Sequence, residues 1–493
     1  MKLTSLSFRL NPKRAMSLQP TWPGAVYAKH QTEGIQWMLN QEMNGYAVPG
    51  KDYVVRGGIL GDEMGLGKTI QSLALIVNGS GKNSLIVGPL AVCKQWEEAA
   101  SRCRVNVFTL EKTSWTQRNR RILGGKNVYI GHYDKVVSDV NLFLSIGKLD
   151  RIILDEAHRI RNTKTSTYKG ISKLNANYKW ALTATPIVNK LNDAVAYLKF
   201  IGFKIEHPGW YSMYREWISG VYLARTLDEC EAPAGLTMPP DAITETLLLD
   251  FTSDEEREIY DGILNDIESK WRCAKALKGQ AYQLAKFSVL LRLRQISVNP
   301  QIYIRAREKE AFGWTGPRFS QPSRKFDEIT HLMRESYENG VGNRWIVFCQ
   351  FHEEMTMLSE YLKAFPFIGN VLQYHGGLSM KEREEAIQHS KDVSDGSRQD
   401  VFLIQLQAGG TGLNLQHYDR IIFISPWWTS ALLEQAQGRA VRIGQKEQVK
   451  VYWLKLKAEE EHFSIDDFML NKASEKKGLA ADFLSWSHNK KNN

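Results

Sequence analysis

The 493-residue sequence has only five cysteines, at positions 93, 103, 230, 273 and 349, and they form no C-x-x-C pair and no short Cys/His cluster. Neither a disulfide framework nor a structural zinc site is expected from that spacing. No apolar run reaches membrane-spanning length, and the opening MKLTSLSFRLNPKRAM meets Arg9 and further basic residues before a secretory core develops. The expectation is an intracellular protein, cytoplasmic, nucleoid-associated or nuclear, with no membrane association. Tandem repeats, an acidic tail and low-complexity blocks are also missing; only the closing SHNKKNN reads as a loose end. That leaves little room for an accessory reader module.

What is present is ordinary globular composition, 43% hydrophobic and 24% charged, in a chain too long for one core. The net charge of +10 suits a polyanionic partner and equally suits a basic protein without one. Short apolar runs alternate with helical stretches: SLIVGPL, NVYIGHY, RIILDE and WALTAT in the first half, then RWIVFC, VLQYHG, VFLIQL, RIIFISP and KVYWLKL in the second. Such alternation predicts α/β architecture, with two parallel sheets covered by helices. Between the two sets, EAPAGLTMPPDA concentrates Pro and Gly as a linker does, and the stretch from Thr252 to Pro300 reads as helices. Ser253 and Glu256 have capping-box spacing there.

Two stretches carry chemistry. GDEMGLGKT at 61–69 fits the phosphate-loop pattern G-x-x-x-x-G-K-[ST] except that Asp62 stands where the frame begins with glycine. Phosphates need curled backbone N–H groups at a helix N-terminus, an ammonium and a hydroxyl for magnesium, and Gly65, Gly67, Lys68 and Thr69 supply them. The apolar VVRGGIL before the loop and the helical spacing of Ile70, Leu73 and Ile76 after it give the required strand, loop and helix. In RIILDEAH, an apolar strand delivers Asp155 and Glu156 to a sheet edge. Asp155 suits magnesium and Glu156 suits activation of water, although an acidic pair after a strand is on its own commonly just a helix start.

DEMGLGKT, DEAH, LTATP, GGTGLNL and QGRAVRIGQ, in this order, resemble the Swi/Snf-type ATPases of helicase superfamily two, over roughly residues 25–460. That family also carries Asp at the position of Asp62. The resemblance implies two RecA-like parallel-sheet lobes with helical inserts: an ATP-binding lobe over 1–245 with an insert at about 190–230, a helical insert of the second lobe at 246–320, a helicase lobe at 321–460, and a helical extension at 461–493. It implies ATP with Mg2+. Gln31 matches the residue that reads the adenine edge, with Tyr27 as its neighbour; Asp62, Gly65, Leu66, Gly67, Lys68, Thr69 and Ile70 form the phosphate loop, and Thr69 and Asp155 hold the metal. Glu156 is the base, and His158, Thr183, Ala184, Thr185 and Gln435 match coupling residues. Arg439 and Arg442, three apart and so on one helix face, match the fingers that stabilise the transferring phosphoryl group, and Gln445 belongs to the same motif.

For nucleic acid, GPLAVCKQW, GHYDKV, CQFHEEM and LQAGGTGLNLQ resemble stretches lining a backbone-tracking groove, with Lys94, Trp96, Tyr133, Arg383, Gly410, Thr411 and Asn414 as candidate contacts. YLARTLDE, LRLRQISVNP and HGGLSMKEREEAI belong to the same likeness and set it apart from DEAD-box RNA helicases, and the helical insert favours duplex DNA. Departures are Ser425, where the family has an acidic residue; Thr429 and Ser430, in place of Asn-Pro; and Ala224, which leaves an arginine pair with Arg225 incomplete. The expected function is a monomeric, ATP-driven, double-stranded DNA translocase that moves along duplex or remodels protein–DNA complexes. The alternatives are a strand-separating DNA or RNA helicase and an ATP-gated DNA-binding switch with little turnover.

Overall fold

The computed structural model describes residues 17–186, 193–205, 211–232, 237–251, 253–309, 315–392, 397–409, 413–427, 429–457 and 464–484. The chain divides into a first unit running to Leu236 and a second from Thr237 to Ala481.

The first unit is built on an eight-stranded sheet of β1 (Gly57–Leu60), β2 (Asn83–Gly88), β3 (Val105–Glu111), β4 (Ser114–Gln117), β5 (Lys126–His132), β6 (Leu149–Asp155), β7 (Ala176–Leu182) and β8 (Tyr222–Leu223). Their order is β8-β1-β7-β6-β2-β5-β3-β4, and every neighbouring pair is parallel except the β3–β4 hairpin. Ile152, Ile153 and Leu154 have no exposed surface, as a parallel sheet covered on both faces requires. Helices α1 (Lys29–Met43), α2 (Lys68–Asn78) and α3 (Leu90–Ser101) pack Ile35, Met38, Leu73, Ile76 and Trp96 into one core with Ile86, Ile153 and Trp180. Helices α4 (Asp193–Ile201) and α5 (Tyr211–Val221) precede β8. The buried Glu42 carboxylate is matched by the Arg151 guanidinium and the Trp180 ring N–H, which removes the cost of an isolated buried charge.

The second unit holds a wholly parallel six-stranded sheet of β9 (Ile243–Leu249), β10 (Arg344–Cys349), β11 (Ile368–Tyr374), β12 (Gln399–Gln405), β13 (Arg420–Phe423) and β14 (Lys450–Leu456), in the order β9-β14-β13-β10-β12-β11. The boundary expected after residue 245 would cut β9, which pairs along its whole length with β14; the division therefore falls before it. Helices α6 (Asp254–Ala274), α7 (Gly279–Val298) and α8 (Pro300–Glu308) follow β9 and share a small core of Ile263, Ile267, Leu293, Ile296 and Tyr303. The Ser253 hydroxyl accepts the Glu256 N–H as a cap, while the buried Glu256 carboxylate accepts the Arg324 N–H at the start of α9 (Arg324–Glu338). Helices α10 (His352–Leu362), α11 (Ser430–Gln437) and α12 (Ile465–Leu484) lie further along the chain.

Candidate nucleotide site

Ligands of open α/β sheets gather beyond the carboxyl ends of the strands. In the first unit, three adjacent strands end in the motif residues: β1 runs into loop 61–67, β7 into Thr183–Thr185, and β6 into Asp155 and Glu156. The sheet order places β7 between the other two, and the Thr183 N–H continues the ladder by donating to the Leu60 carbonyl at 3.1 Å. Segments distant in sequence thereby share one edge.

Within the loop, Gly65 and Gly67 have φ of +92° and +81°, a conformation in which a side chain is strained. A Cβ at Gly67 would also come within 2.6 Å of the Gln31 side-chain nitrogen, so the loop and α1 approach as closely as glycine allows. The Lys68 ammonium donates to the carbonyls of Asp62 at 2.7 Å and Glu63 at 3.3 Å, which keeps it inside the curl of the loop. Thr69 and Ile70 are half-buried in the first turn of α2. Gln31 is buried; its carbonyl oxygen accepts the Ala28 N–H at 3.1 Å and its amide faces the Leu66 carbonyl at 3.4 Å. Tyr27 instead joins its hydroxyl to Thr21.

Asp62 and Leu66, expected among the nucleotide-binding residues, turn their side chains inward, and neither has exposed surface. The Asp62 carboxylate lies in a two-pronged pair with Arg225, at 2.9 Å and 2.5 Å, and also accepts from Gln71 at 2.9 Å. A buried carboxylate requires such a cation.

At the end of β6, the Asp155 carboxylate accepts the Trp96 ring N–H at 2.8 Å and the Glu156 N–H at 3.0 Å. Burial first, then the neighbouring Glu156 charge, push the Asp155 carboxyl up to about 6; the Trp96 hydrogen bond and the Lys68 charge act in the opposite sense. Glu156 occupies the left-handed region at φ +50°, strained for a residue with a side chain. That turn sets its carboxylate 3.3 Å from His158 Nδ1. The Thr183 hydroxyl accepts the Thr185 N–H at 3.2 Å and fixes the loop after β7; both residues are buried, with Ala184 between them.

Trp96 and Tyr133, expected on a groove for nucleic acid, are 2% and 1% exposed. Trp96 donates to the Asp155 carboxylate and the Tyr133 hydroxyl to the Asp155 main-chain carbonyl at 2.8 Å, so both side chains are turned toward the end of β6. Lys94 and Asn414 are exposed, whereas Arg383 is half-buried and donates to the Gly376 carbonyl at 2.6 Å. Gly410 and Thr411 lie outside the described residues.

The SNF2-related domain matches residues 30–232, and the helicase conserved C-terminal domain matches residues 324–444. The chain belongs to the Swi/Snf-type ATPases of helicase superfamily two.

Among Swi/Snf-type relatives, it is similar to the probable ATP-dependent DNA helicase CHR23 of Arabidopsis thaliana, at 28% identity over 94% of this chain and 43% of that protein. It is also similar to the probable global transactivator of Orgyia pseudotsugata multicapsid polyhedrosis virus, at 26% identity over 90% of this chain and 88% of the viral one. The chain thus spans less than half the length of the plant relative. A solved Swi/Snf-type structure, the Sulfolobus solfataricus SWI2/SNF2 ATPase core in complex with dsDNA, aligns at 22% identity with 96% and 99% coverage and a TM-score of 0.37.

The Swi/Snf-type motifs of the second unit are laced together. The Gln445 amide donates to the carbonyls of Gln416 at 2.9 Å and Tyr418 at 3.1 Å, and the Leu415 N–H donates to the Arg439 carbonyl at 3.0 Å. Arg439 and Arg442 do not share a helix face. Helix α11 stops at Gln437 with Gly438 as its cap, and an i−3 bond from the Arg439 N–H to Ala436 tightens the turn. Arg439 and Gln435 are buried, and burial holds the half-buried Arg442 guanidinium below its ordinary value.

Ser425, where the family carries an acidic residue, lies 3.4 Å from the buried Lys325 ammonium, whose carboxylate partner is Asp466 of α12 at 2.8 Å. The departure at Ser425 therefore leaves no charge unmatched there. The likeness around YLARTLDE marks Arg225 but not its partner, and nothing in local spacing points to Gln71 or to the Asp155 role of Trp96. Asp62 is itself a clue to the pairing, a carboxylate in an apolar strand-to-loop turn that needs a distant cation.

Proposed function

We propose that the protein hydrolyses ATP in a DNA-dependent reaction and uses it to translocate on double-stranded DNA, or to remodel protein–DNA complexes, without obligatory strand separation. The observation that carries this reading is the arrival of the glycine loop with Lys68, the Asp155–Glu156 pair and the Thr183–Thr185 turn at one edge of one sheet. Gln31 and loop residues 65–70 bind the nucleotide, and Lys68 sets positive charge against its terminal phosphates. The Glu156 carboxylate, placed by its strained backbone beside His158, takes the proton of the attacking water.

A divalent cation fits the donor set, a hydroxyl from Thr69 and a carboxylate from Asp155, both hard oxygen ligands. Bound there, Mg2+ would neutralise phosphate charge. Arg439 and Arg442 are assigned to stabilising the transferring phosphoryl group, and Gln435, His158, Thr183 and Thr185 to coupling. Lys94, Arg383, Gly410, Thr411 and Asn414 are the proposed DNA contacts, each a small or polar group suited to a phosphate backbone.

The test is steady-state ATPase at fixed low salt with no nucleic acid, duplex DNA, single-stranded DNA and duplex RNA, because phosphate contacts weaken with salt. Stimulation by duplex DNA, together with displacement of a triplex-forming strand and no unwinding of a forked duplex, is the expected result. Preference for single strands or RNA identifies a strand-separating helicase, and absence of turnover on every substrate identifies a switch.

A further inference from the structure

The guanidinium of Arg225 sits, 4% exposed, where four segments of the first unit converge. Its Nε and one Nη grip both oxygens of Asp62, that Nη also donates to the Gln71 carbonyl oxygen at 3.0 Å, and its other Nη donates to the His30 carbonyl in α1. Gln71, in α2, returns its amide to Asp62 at 2.9 Å and to the Leu66 carbonyl at 3.3 Å. His30 Nε2 meets the same Leu66 carbonyl at 3.0 Å, and burial lowers that imidazole's pKa.

Helix α1 makes room for the network. A Cβ at Gly34 would fall 2.0 Å from the Gln71 oxygen and 2.7 Å from an Arg225 nitrogen. The backbone around Arg225 is stitched to the same loop: the Gly61 N–H donates to Leu223 at 2.7 Å, the Glu63 N–H to Arg225 at 2.8 Å, and the Leu227 N–H to the Glu63 carboxylate at 2.7 Å. Residues 223–227 are also the last stretch of the first unit before the expected linker at 231–242.

We propose that Arg225 is a positioning residue for the nucleotide site. It holds the phosphate loop, α1 with its Gln31, and the segment leaving the first unit in one fixed arrangement through Asp62, Gln71 and the His30 carbonyl. Asp62 stands at the start of the loop because Arg225 needs a carboxylate there. The arrangement preorganises the loop for ATP, so loss of Arg225 acts on ATP binding more than on the chemical step. This inference rests on the ATPase reading above.

The experiment compares wild type with Arg225→Ala, Arg225→Lys and Gly34→Ala in the full chain, measuring KM for ATP, kcat with saturating duplex DNA, the affinity for a fluorescent ATP analogue, and the melting temperature. Arg225→Ala is expected to raise KM and the analogue's Kd by at least about tenfold, the equivalent of one lost charged hydrogen bond, with kcat changed by less. Arg225→Lys keeps the charge without the fork and falls between; Gly34→Ala, which crowds the same guanidinium, moves KM in the same direction. Should Arg225→Ala not fold, the other two carry the test. Wild-type KM and Kd in those variants, with only a lowered melting temperature, would mean a purely structural pair and overturn the proposal. Failure of the wild-type protein to bind or hydrolyse ATP would overturn the ATPase reading instead.

Discussion

Two buried side chains hold Asp155, Tyr133 at its main-chain carbonyl and Trp96 at its carboxylate. Trp96 donates to one carboxylate oxygen, leaving the other to the Glu156 N–H. Trp96→Phe keeps the ring in the core and removes that donor. It is expected to raise the Mg2+ concentration needed for half-maximal ATPase by about tenfold, the usual cost of losing a group that orients a metal ligand; a magnesium titration of initial rates checks it. Glu156 is one residue on and differently placed, with a strained backbone and a histidine beside its carboxylate. Glu156→Gln should retain affinity for ATP within a few-fold while losing turnover by orders of magnitude. Equilibrium binding of a fluorescent analogue beside a steady-state assay separates the two effects, and loss of binding would remove Glu156 from the role of base. The types of these residues were legible in RIILDEAH, but their partners were not. A tryptophan in GPLAVCKQW and a tyrosine in GHYDKV look the same whether they face DNA or the core.

At the scale of elements, helix α12 is fastened to the second unit by charge as well as by Ile465 and Met469. Asp466 accepts from the Lys325 ammonium, from the Ser297 hydroxyl at 2.8 Å and from the Leu456 N–H at 3.1 Å, joining α9, α7 and β14. Lys325→Met leaves that buried carboxylate without its cation and is expected to cost about 3 kcal/mol or more. Urea denaturation of the single variant and of Lys325→Met with Asp466→Leu checks this, the double variant recovering most of the loss. Nearby, Glu354 caps the start of α10, its carboxylate accepting the N–H groups of Gln350 at 2.7 Å and Phe351 at 2.9 Å. Burial pushes its carboxyl from 4.5 up to about 7, against the pull of those N–H groups and of the Lys325 and Arg294 charges. The folded state therefore binds this proton more tightly than the unfolded chain. Its contribution is fully present below about pH 4.5 and is lost as pH rises through about 7. Glu354→Gln cannot titrate, so its melting temperature should gain on wild type between pH 5 and pH 8; parallel curves would show that Glu354 is ionised throughout. The strands and insert helices were readable from apolar runs, whereas the exact end of α11 was not. Spacing placed Arg439 and Arg442 on one helix face, but Gly438 and a tightened last turn ended the helix before them.

For the whole molecule, the expected dependence on DNA joins turnover to binding, and one variant separates them. Arg442→Ala should reduce duplex-stimulated ATPase by roughly 10³-fold, as loss of a phosphoryl-transfer finger does, with DNA affinity little changed in a filter or anisotropy assay. Equal loss of DNA affinity would recast Arg442 as a phosphate contact. The sequence by itself determined the α/β class, the two sheets and the order of the motifs. Those depend on local properties: apolar period, glycine where a loop must turn with positive φ, and side-chain types suited to phosphate, metal and water. Only the tertiary structure decided which of these residues meet. It set β7 between β1 and β6, turned Trp96 and Tyr133 inward, and paired Asp62 with Arg225, 163 positions away. The reason is that a buried charge or N–H must find its partner in space, and the order of strands in a sheet, which is not their order along the chain, determines what lies within reach.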